Sequence, residues 1–305
     1  MSTFLGIDGG GSKTLCVIGD QDSVLGTGTS AGSNLVRVGE ARAQKSLGVA
    51  IRQACAAANV SPSRIEKTCV GIAGGALPEI AGVVRRLVSE FVSGEVVVVG
   101  DMVITMEAAF GSGPGVIVIA GTGSIAYGRN SAGQTARAGG WGFAISDEGS
   151  GHWIGRSAVA ASMRAFDEGG AESASPLLEG IMNSWGVTTR DQMVVAANAA
   201  PSPDFAALLR RVLSAAESGD AAARAVLTQA GVELATLAKI VIVRIFGDAV
   251  PVPVAVSGGV FRNCGLVQQV FYDRLRDVFP QILPNATWVD PAMGALELAR
   301  KTSRE

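Results

Sequence analysis

Residues 4–14 read FLGIDGGGSKT, a short apolar run that ends in an aspartate followed by three glycines. An apolar run of this kind is typical of a strand buried on both faces. The glycines after it let a ligand approach the backbone closely. Four other runs, at 69–72, 96–99, 116–119 and 252–256, also lead into turns of small residues. Since ligands of α/β sheets gather at the carboxyl ends of the strands, the sequence predicts a ligand site at these turns.

Segments with helical spacing alternate with these strands. We predict helices over residues 41–59, 77–92, 150–166, 221–245 and 291–301. Strands that alternate with helices place the chain in the α/β class. Residues 167–204 carry few signals, and they could form a lid, a specificity insert or an ordinary helical layer.

The chain also contains a weak internal repeat. The glycine turn at 8–11 is followed by a second β-type run, a polar turn and a third run, and the turn at 121–123 is followed by the same succession. Either turn alone is equally compatible with an ordinary hairpin. Two such turns facing each other across one cleft would offer two arrays of backbone N–H groups, which bind phosphate oxygens. Their joint occurrence favours a nucleotide site.

Two other phosphate-binding motifs do not fit the sequence. Residues 11–14, GSKT, look like the end of a P-loop, but a P-loop has glycine directly before its lysine. Here Ser12 precedes Lys13, and a strand rather than a helix is expected next. A GxGxxG motif in the context of a dinucleotide site is absent from the sequence.

The composition argues against several other classes of protein. With 25 basic and 27 acidic residues and no basic block, the chain is not expected to bind nucleic acid or an anionic membrane. It has no charge-free run of about 20 apolar residues, and residues 1–7 are too short for a signal peptide, so we expect a cytoplasmic protein. Four cysteines without a CxxC pair, and His152 as the single histidine, argue against a structural zinc site.

Taken together, the motifs resemble those of a known superfamily. Residues 8–14 resemble the first phosphate motif of the actin/hexokinase/Hsp70 superfamily, 120–124 (AGTGS) the second, and 257–260 (SGGV) its adenosine motif. GGWG at 139–142, followed by SDEGSG at 146–151, resembles the N-acetylglucosamine kinase branch, which shares a family with the BadF/BadG/BcrA/BcrD ATPases. The resemblance implies two ribonuclease-H-like α/β domains with an interdomain cleft, the actin-like ATPase fold. It also implies an ATP-dependent sugar kinase.

ATP and Mg²⁺ are the cofactors that the resemblance implies. Asp8 would hold Mg²⁺, directly or through water, because this ion keeps several of its waters. Asp8 could instead stabilise its turn, and Lys13 could be a solvated strand residue rather than a phosphate ligand. Glycines of the adenosine motif could serve only helix–strand packing. The residues implied for ATP and its phosphates are Gly9, Gly10, Gly11, Ser12, Lys13, Thr14, Gly121, Thr122, Gly123, Ser124, Gly258 and Gly259.

Asp101 is the catalytic residue that the resemblance implies. It follows the valine run 96–99 and Gly100, and in the family this position is the general base that takes the proton from the sugar hydroxyl. That chemistry needs a carboxylate within hydrogen-bond reach of the hydroxyl oxygen. Phosphoryl transfer is mostly positioning and charge neutralisation, so an ordinary aspartate suffices. The alternative role is a helix cap for residues 102–110.

Further residues are implied for the sugar. Asparagine and aspartate supply the acceptors and donors that sugar hydroxyls need. Trp141 could instead be a packing residue, and Asp147 could instead cap the helix expected from residue 150. The implied acceptor is the 6-hydroxyl of N-acetylglucosamine, with glucosamine, glucose or a muramic acid derivative as alternatives. The implied sugar-binding residues are Asn34, Asp101, Thr122, Gly140, Trp141 and Asp147.

We expect one domain over 1–111 together with 291–305, and a second over 112–290; a homodimer is expected from the resemblance alone. One rival function is a BadF-type reductase-activating ATPase, which needs closely spaced cysteines that hold a cluster between two subunits. Cys55 and Cys69 are 14 residues apart, and Cys69 lies in a predicted strand. Another rival is a sugar sensor. The DNA-binding kind needs a helix-turn-helix ahead of the first motif, which already starts at residue 8, whereas a sensor without DNA binding stays open.

Overall fold

The computed structural model describes residues 2–169, 175–247, 251–285 and 287–301. The chain forms two compact units, the first made of the residues up to Ile117 and those from Asn285 onward, and the second of Val118–Pro284. The sequence predicts one domain over 1–111 with 291–305 and a second over 112–290. These domain limits remain a prediction.

Strands and helices are numbered here in chain order. The strands are β1 (Thr3–Gly9), β2 (Lys13–Gly19), β3 (Val24–Ala31), β4 (Ile65–Ile72), β5 (Glu95–Gly100), β6 (Gly115–Ala120), β7 (Ser124–Arg129), β8 (Thr135–Gly139), β9 (Pro253–Ser257) and β10 (Leu283–Pro284). The helices are α1 (Leu35–Val38), α2 (Glu40–Ala58), α3 (Pro78–Ser89), α4 (Asp101–Phe110), α5 (Gly151–Gly169), α6 (Pro176–Trp185), α7 (Arg190–Ala197), α8 (Leu209–Glu217), α9 (Ala221–Ile245), α10 (Gly259–Asn263), α11 (Gly265–Val278) and α12 (Pro291–Lys301).

The two sheets repeat one topology. The first has the order β3-β2-β1-β4-β5, with β1, β2 and β3 antiparallel in succession and β4 and β5 parallel to β1. The second has the order β10-β9-β6-β7-β8, with β7 and β8 antiparallel and β9 and β10 parallel. In both sheets, the strand that precedes a glycine turn is the central one. The α/β class and the internal repeat predicted from the sequence are therefore confirmed.

Helices cover both faces of the first sheet. Alternate residues of β1 point to opposite faces, so Leu5 and Ile7 pack in a core with α2 and α3, whereas Phe4 packs with α4 and α12. The α12 backbone lies against β1 at Gly6, where a Cβ atom would be 2.3 Å from the Leu296 nitrogen. Only glycine permits this approach.

The predicted helix bounds are close to the observed ones. The helices 221–245 and 291–301 begin and end as predicted, and α2 begins and ends one residue earlier than expected. The other two differ more, because α3 spans Pro78–Ser89 rather than 77–92, and α5 reaches Gly169 rather than 166. The described part of 167–204, for which the sequence leaves three alternatives open, contains α6 and α7.

Helix α9 is long and apolar enough to cross a membrane by length and composition alone. In the second unit, 56% of its most apolar window is buried, including Leu227, Leu234 and Val241. Its apolar character is therefore accounted for by its place in the core of this unit.

Candidate active site

The carboxyl edge of the first sheet carries Asp8 and Asp101. Strand register pairs Gly9 with Ile72, and Ile72 with Gly100, so the end of β1 and the end of β5 lie at the same edge. Neighbouring strands are about 4.8 Å apart, which puts these two strand ends roughly 10 Å from each other. The sheet thus brings the predicted metal ligand and the predicted base to one side of the first unit.

Asp8 lies in an environment that disfavours its charge. Burial, then the charges of Asp101 and Asp290, raise the pKa of Asp8 from 3.8 to about 7, and Lys13 acts in the opposite direction. The carboxylates lie close enough for these charges to interact. Within the described ranges, however, no group of three or more histidine, cysteine, aspartate or glutamate side chains could hold a metal by itself. Mg²⁺ usually takes one or two carboxylates and completes its ligands with water and phosphate oxygens, a role that the Asp8 carboxylate fits.

Asp290 is a residue of this edge that sequence reasoning missed. Its carboxylate accepts a hydrogen bond from the Ala292 backbone nitrogen at 3.1 Å, as an N-cap does for α12. An aspartate before the Pro291 of a predicted helix has the sequence signature of such a cap. That signature does not reveal its proximity to Asp8, which depends on how α12 packs on β1.

Asp101 is the first residue of α4 and follows the N-cap residue Gly100. One carboxylate oxygen accepts a hydrogen bond from the Met102 nitrogen at 2.9 Å. The backbone nitrogen of Asp101 itself also bonds to this carboxyl. Burial raises the pKa of Asp101, although the Met102 bond acts against this shift. A carboxylate with a raised pKa suits proton abstraction better than helix capping, which would use the nitrogens one turn further on.

The first glycine turn is braced by the segment after β3. The Gly10 carbonyl accepts from the nitrogens of Ser33 and Asn34, at 3.1 and 3.3 Å. The buried Thr14 hydroxyl contacts the Ser33 hydroxyl at 2.8 Å and the Ala31 carbonyl at 2.7 Å. Strand β2 follows the turn directly, so the rejection of a P-loop is confirmed. The hydroxyl of Thr14 is used inside the protein, whereas Ser12 and Lys13 are exposed.

The second glycine turn belongs to the second unit. Gly121 faces open space, whereas a Cβ atom at Gly123 would lie 3.0 Å from the Asp147 carboxylate. Ser124 donates its nitrogen to Asp147 at 3.2 Å and its hydroxyl to the Glu148 carbonyl at 2.7 Å. Both donors of Ser124 are therefore already engaged, which makes Ser124 a support of the turn.

The two glycines at the start of α10 differ in their surroundings. Gly258 has φ +100°, and a Cβ atom on it would lie 2.3 Å from the Ala120 carbonyl oxygen, so this glycine serves close packing on β6. Gly259 has no atom nearer than 3.9 Å to its Cβ position. Of the two, Gly259 has the space that a ligand needs.

The residues predicted to bind sugar lie in both units. Asn34 caps α1, since its side-chain oxygen accepts from Val36 and Arg37 at 3.1 and 3.3 Å. In the second unit, Gly140 has φ +71°, and the Trp141 residue is 58% exposed, with the Arg137 guanidinium 4.1 Å from its ring centre. This exposure does not fit the alternative interpretation from the sequence, in which Trp141 serves only packing.

Asp147 does not cap α5, because its carboxylate contacts the second glycine turn, and the Ser150 hydroxyl accepts from Trp153 instead. Burial, then the Glu148 charge, raises the pKa of Asp147 to about 6, although the Ser124 nitrogen acts to lower it.

The sequence predicts no chemical role for His152. Its ring lies between those of Phe143 and Phe205, with centroids 5.1 and 5.3 Å away.

The four cysteines are all buried free thiols. Burial raises the pKa of Cys69 to about 12, and burial also raises the pKa of Cys55. A cluster ligand has to be an accessible thiolate. The surroundings of these side chains thus do not suit the iron–sulfur type of ATPase.

Comparison with known proteins gives consistent results. The model of the BadF/BadG/BcrA/BcrD ATPase family matches residues 5–299. An N-acetylmuramic acid/N-acetylglucosamine kinase of Clostridium acetobutylicum is 31% identical, over 98% of this chain and 99% of that protein. An N-acetyl-D-glucosamine kinase of Dictyostelium discoideum is 26% identical, over 99% and 98% of the two chains. The crystal structure of a provisionally named N-acetylglucosamine kinase of Chromobacterium violaceum superposes with a TM-score of 0.75 at 29% identity, covering 98% and 99%.

Proposed function

Because the chain belongs to the BadF/BadG/BcrA/BcrD ATPase family, we propose that it is an ATP-dependent kinase that phosphorylates the 6-hydroxyl of an amino sugar. N-acetylglucosamine is the first candidate acceptor, and an N-acetylated muramic acid is the second, since both occur in the name of a relative that matches almost the whole chain. The observation that carries the proposal is Asp101, a carboxylate with a raised pKa at the edge of the sheet that also carries Asp8.

Asp101 is the general base in this mechanism. A carboxylate oxygen of Asp101 accepts the proton of the sugar hydroxyl while the Met102 nitrogen helps to hold the carboxylate in place. A raised pKa brings the carboxylate closer to the pH at which it works, which favours proton transfer in the transition state. The hydroxyl oxygen then attacks the γ-phosphorus of ATP in line, and ADP leaves.

Backbone N–H groups of the two glycine turns bind the phosphates. Gly9, Gly10, Gly11 and Ser12 form the turn of the first unit, with Lys13 beside it, and Thr14 braces that turn through its hydroxyl. In the second unit Gly121, Thr122 and Gly123 form the turn that Ser124 supports, and Gly259, with Gly258 packed behind it, offers space for the adenosine. Such N–H arrays stabilise phosphate oxygens without any reorganisation during the reaction.

Mg²⁺ is the metal that the first unit suits. Asp8 would hold it, with Asp101 and Asp290 adding negative charge nearby. A bound Mg²⁺ supplies charge neutralisation for the phosphates.

Asn34, Gly140 and Trp141 are the further residues that we assign to the sugar, together with Asp101, Thr122 and Asp147. The Asn34 side-chain oxygen is engaged in capping α1, and the Trp141 residue is 58% exposed, with the Arg137 guanidinium over its ring. We also propose a cytoplasmic homodimer, from the family resemblance. Light scattering of the purified protein tests the oligomeric state.

A coupled ADP-release assay with Mg·ATP tests the function. The panel contains N-acetylglucosamine, N-acetylmuramic acid, glucosamine, glucose and N-acetylmannosamine, with Asp101→Asn as the inactive control. We expect release that depends on one of the N-acetylated sugars and is lost in the variant. ATP hydrolysis that is indifferent to every sugar would instead favour an ATPase or a sensor.

A further inference from the structure

The second glycine turn is hydrogen-bonded to the start of α5 and to the residues that join the GGWG loop to this helix. The Gly151 nitrogen donates to the Gly121 carbonyl at 2.8 Å, and the His152 nitrogen donates to the Thr122 carbonyl at 3.2 Å. The turn also closes on itself, since the Gly121 nitrogen donates to the Gly123 carbonyl at 2.9 Å. The backbone of α5 therefore fixes the carbonyl side of the turn.

Ser124 is held from the same segment by two further bonds. Its hydroxyl donates to the Glu148 carbonyl at 2.7 Å, and its nitrogen donates to the Asp147 carboxylate at 3.2 Å. The second of these bonds joins the Asp147 side chain to the backbone at the end of the turn. Its two residues lie 23 positions apart in sequence, so the contact belongs to the tertiary fold.

The Asp147 carboxylate also sets the position of Gly123. Both of its oxygens lie close to the Cβ position of that glycine, at 3.0 and 3.1 Å. The side chain thus fills the space beside the turn while it accepts from Ser124. Without it, the Ser124 N–H loses its acceptor and the turn loses its lateral support.

We propose that Asp147 is a positioning residue for nucleotide, which acts through the second glycine turn rather than only by touching the sugar. The inference rests on the proposed function, because it assumes that this turn binds the phosphates of ATP. The GGWG loop precedes Asp147 closely in the chain, so one short segment carries the exposed Trp141 at its start and the support of the phosphate turn at its end. A side chain that only binds sugar does not need to contact Gly123, as the Asp147 carboxylate does.

The test measures the affinity for Mg·AMPPNP, a non-hydrolysed analogue of ATP, by isothermal titration calorimetry without sugar. In Asp147→Ala we expect the affinity to fall about tenfold or more, the effect of removing the partner of a partly buried N–H group. Asp147→Asn keeps an acceptor oxygen of the same shape, and we expect it to retain the affinity within about threefold. This rescue separates positioning from the mere presence of a charge.

Glu148→Gln is the matched control, because it removes a charge one residue away. The Glu148 side chain contacts the Ser146 hydroxyl, whereas its main chain contacts the turn. We therefore expect its affinity for Mg·AMPPNP to match that of the wild type.

Three outcomes decide between the alternatives. Affinity that falls in Asp147→Ala and recovers in Asp147→Asn supports the inference. Unchanged affinity in Asp147→Ala, with sugar binding lost, overturns it and makes Asp147 a sugar ligand only. A wild-type chain that binds no Mg·AMPPNP overturns the proposed function itself, and the inference with it.

If Asp147→Ala does not fold, Gly123→Ala provides the same test. Its new methyl group would lie 3.0 and 3.1 Å from the two carboxylate oxygens and would displace them from Ser124. We expect weaker Mg·AMPPNP binding in this variant, and binding equal to that of the wild type overturns the inference.

Discussion

Replacing Asp8 with asparagine should stabilise the metal-free protein above neutral pH while it abolishes activity. The pKa of Asp8 rises from 3.8 to about 7 on folding. The folded chain therefore binds the proton more tightly than the unfolded chain does between these two values. The free energy of unfolding falls as the pH rises from about 4 to about 7, and the loss is complete above 7.

The magnitude follows from the size of the shift. About three pKa units at about 1.36 kcal/mol each correspond to roughly 4 kcal/mol lost above pH 7. The asparagine side chain of the variant carries no charge and is exempt from this loss, so Asp8→Asn should be more stable than the wild type at pH 8 by up to about 4 kcal/mol. Near pH 4 the two proteins should differ little.

The assay is urea unfolding followed by circular dichroism, in EDTA, at pH 4.5 and pH 8. A second series at pH 8 contains millimolar Mg²⁺, which should raise the stability of the wild type and leave the variant unchanged. The reasoning is refuted if the variant is less stable than the wild type at pH 8, or if both proteins show the same dependence on pH.

Four other substitutions give expected outcomes that separate activity from stability. Asp101→Asn should lower kcat at least about 100-fold, with the Kd for Mg·AMPPNP from calorimetry unchanged; a variant with normal turnover contradicts the assignment of the base. Gly258→Ala, whose methyl group would lie 2.3 Å from the Ala120 carbonyl oxygen at φ +100°, should cost about 1–3 kcal/mol in urea unfolding. Its neighbour Gly259→Ala should change stability by less than about 0.5 kcal/mol but weaken nucleotide binding, and equal stabilities of the two variants count against this packing argument. Arg300→Ala removes a buried guanidinium that donates to two carbonyls of the β2–β3 turn at 2.7 and 2.8 Å; we expect a loss of about 2–3 kcal/mol, and an unchanged urea midpoint would show that the turn does not need it.

Much of the fold could be predicted because local and global signals agree. Helix α9 begins after Asp220, whose carboxylate accepts from the Ala223 nitrogen at 3.0 Å, and no proline interrupts its alanine-rich sequence before Ile245. The glycine turns were predicted for a related reason, since a strand that ends in several glycines has few other structures available. Helices α6 and α7 were not predicted individually, although Ser175 and Thr189 cap them, because both are short and lack a long apolar period.

The candidate site could be predicted only in part. Asp8 and Asp101 follow apolar strands, and the parallel sheet necessarily brings the ends of such strands to one edge. The proximity of Asp290 to Asp8, and the contact of Asp147 with Ser124, arise from tertiary packing that has no local sequence signal. The resemblance assigns Asp147 to the sugar, and the structure adds a contact of its carboxylate with Ser124 at the end of the second glycine turn.

The most direct test of the account identifies the product. Protein, Mg·ATP and N-acetylglucosamine, or N-acetylmuramic acid in parallel, are incubated and followed by ³¹P nuclear magnetic resonance. The account predicts a new phosphomonoester resonance, coupled to the protons on C6 of the sugar, which is absent with Asp101→Asn. A spectrum in which ATP yields only ADP and inorganic phosphate with every sugar would contradict the central claim that this chain is an amino-sugar kinase.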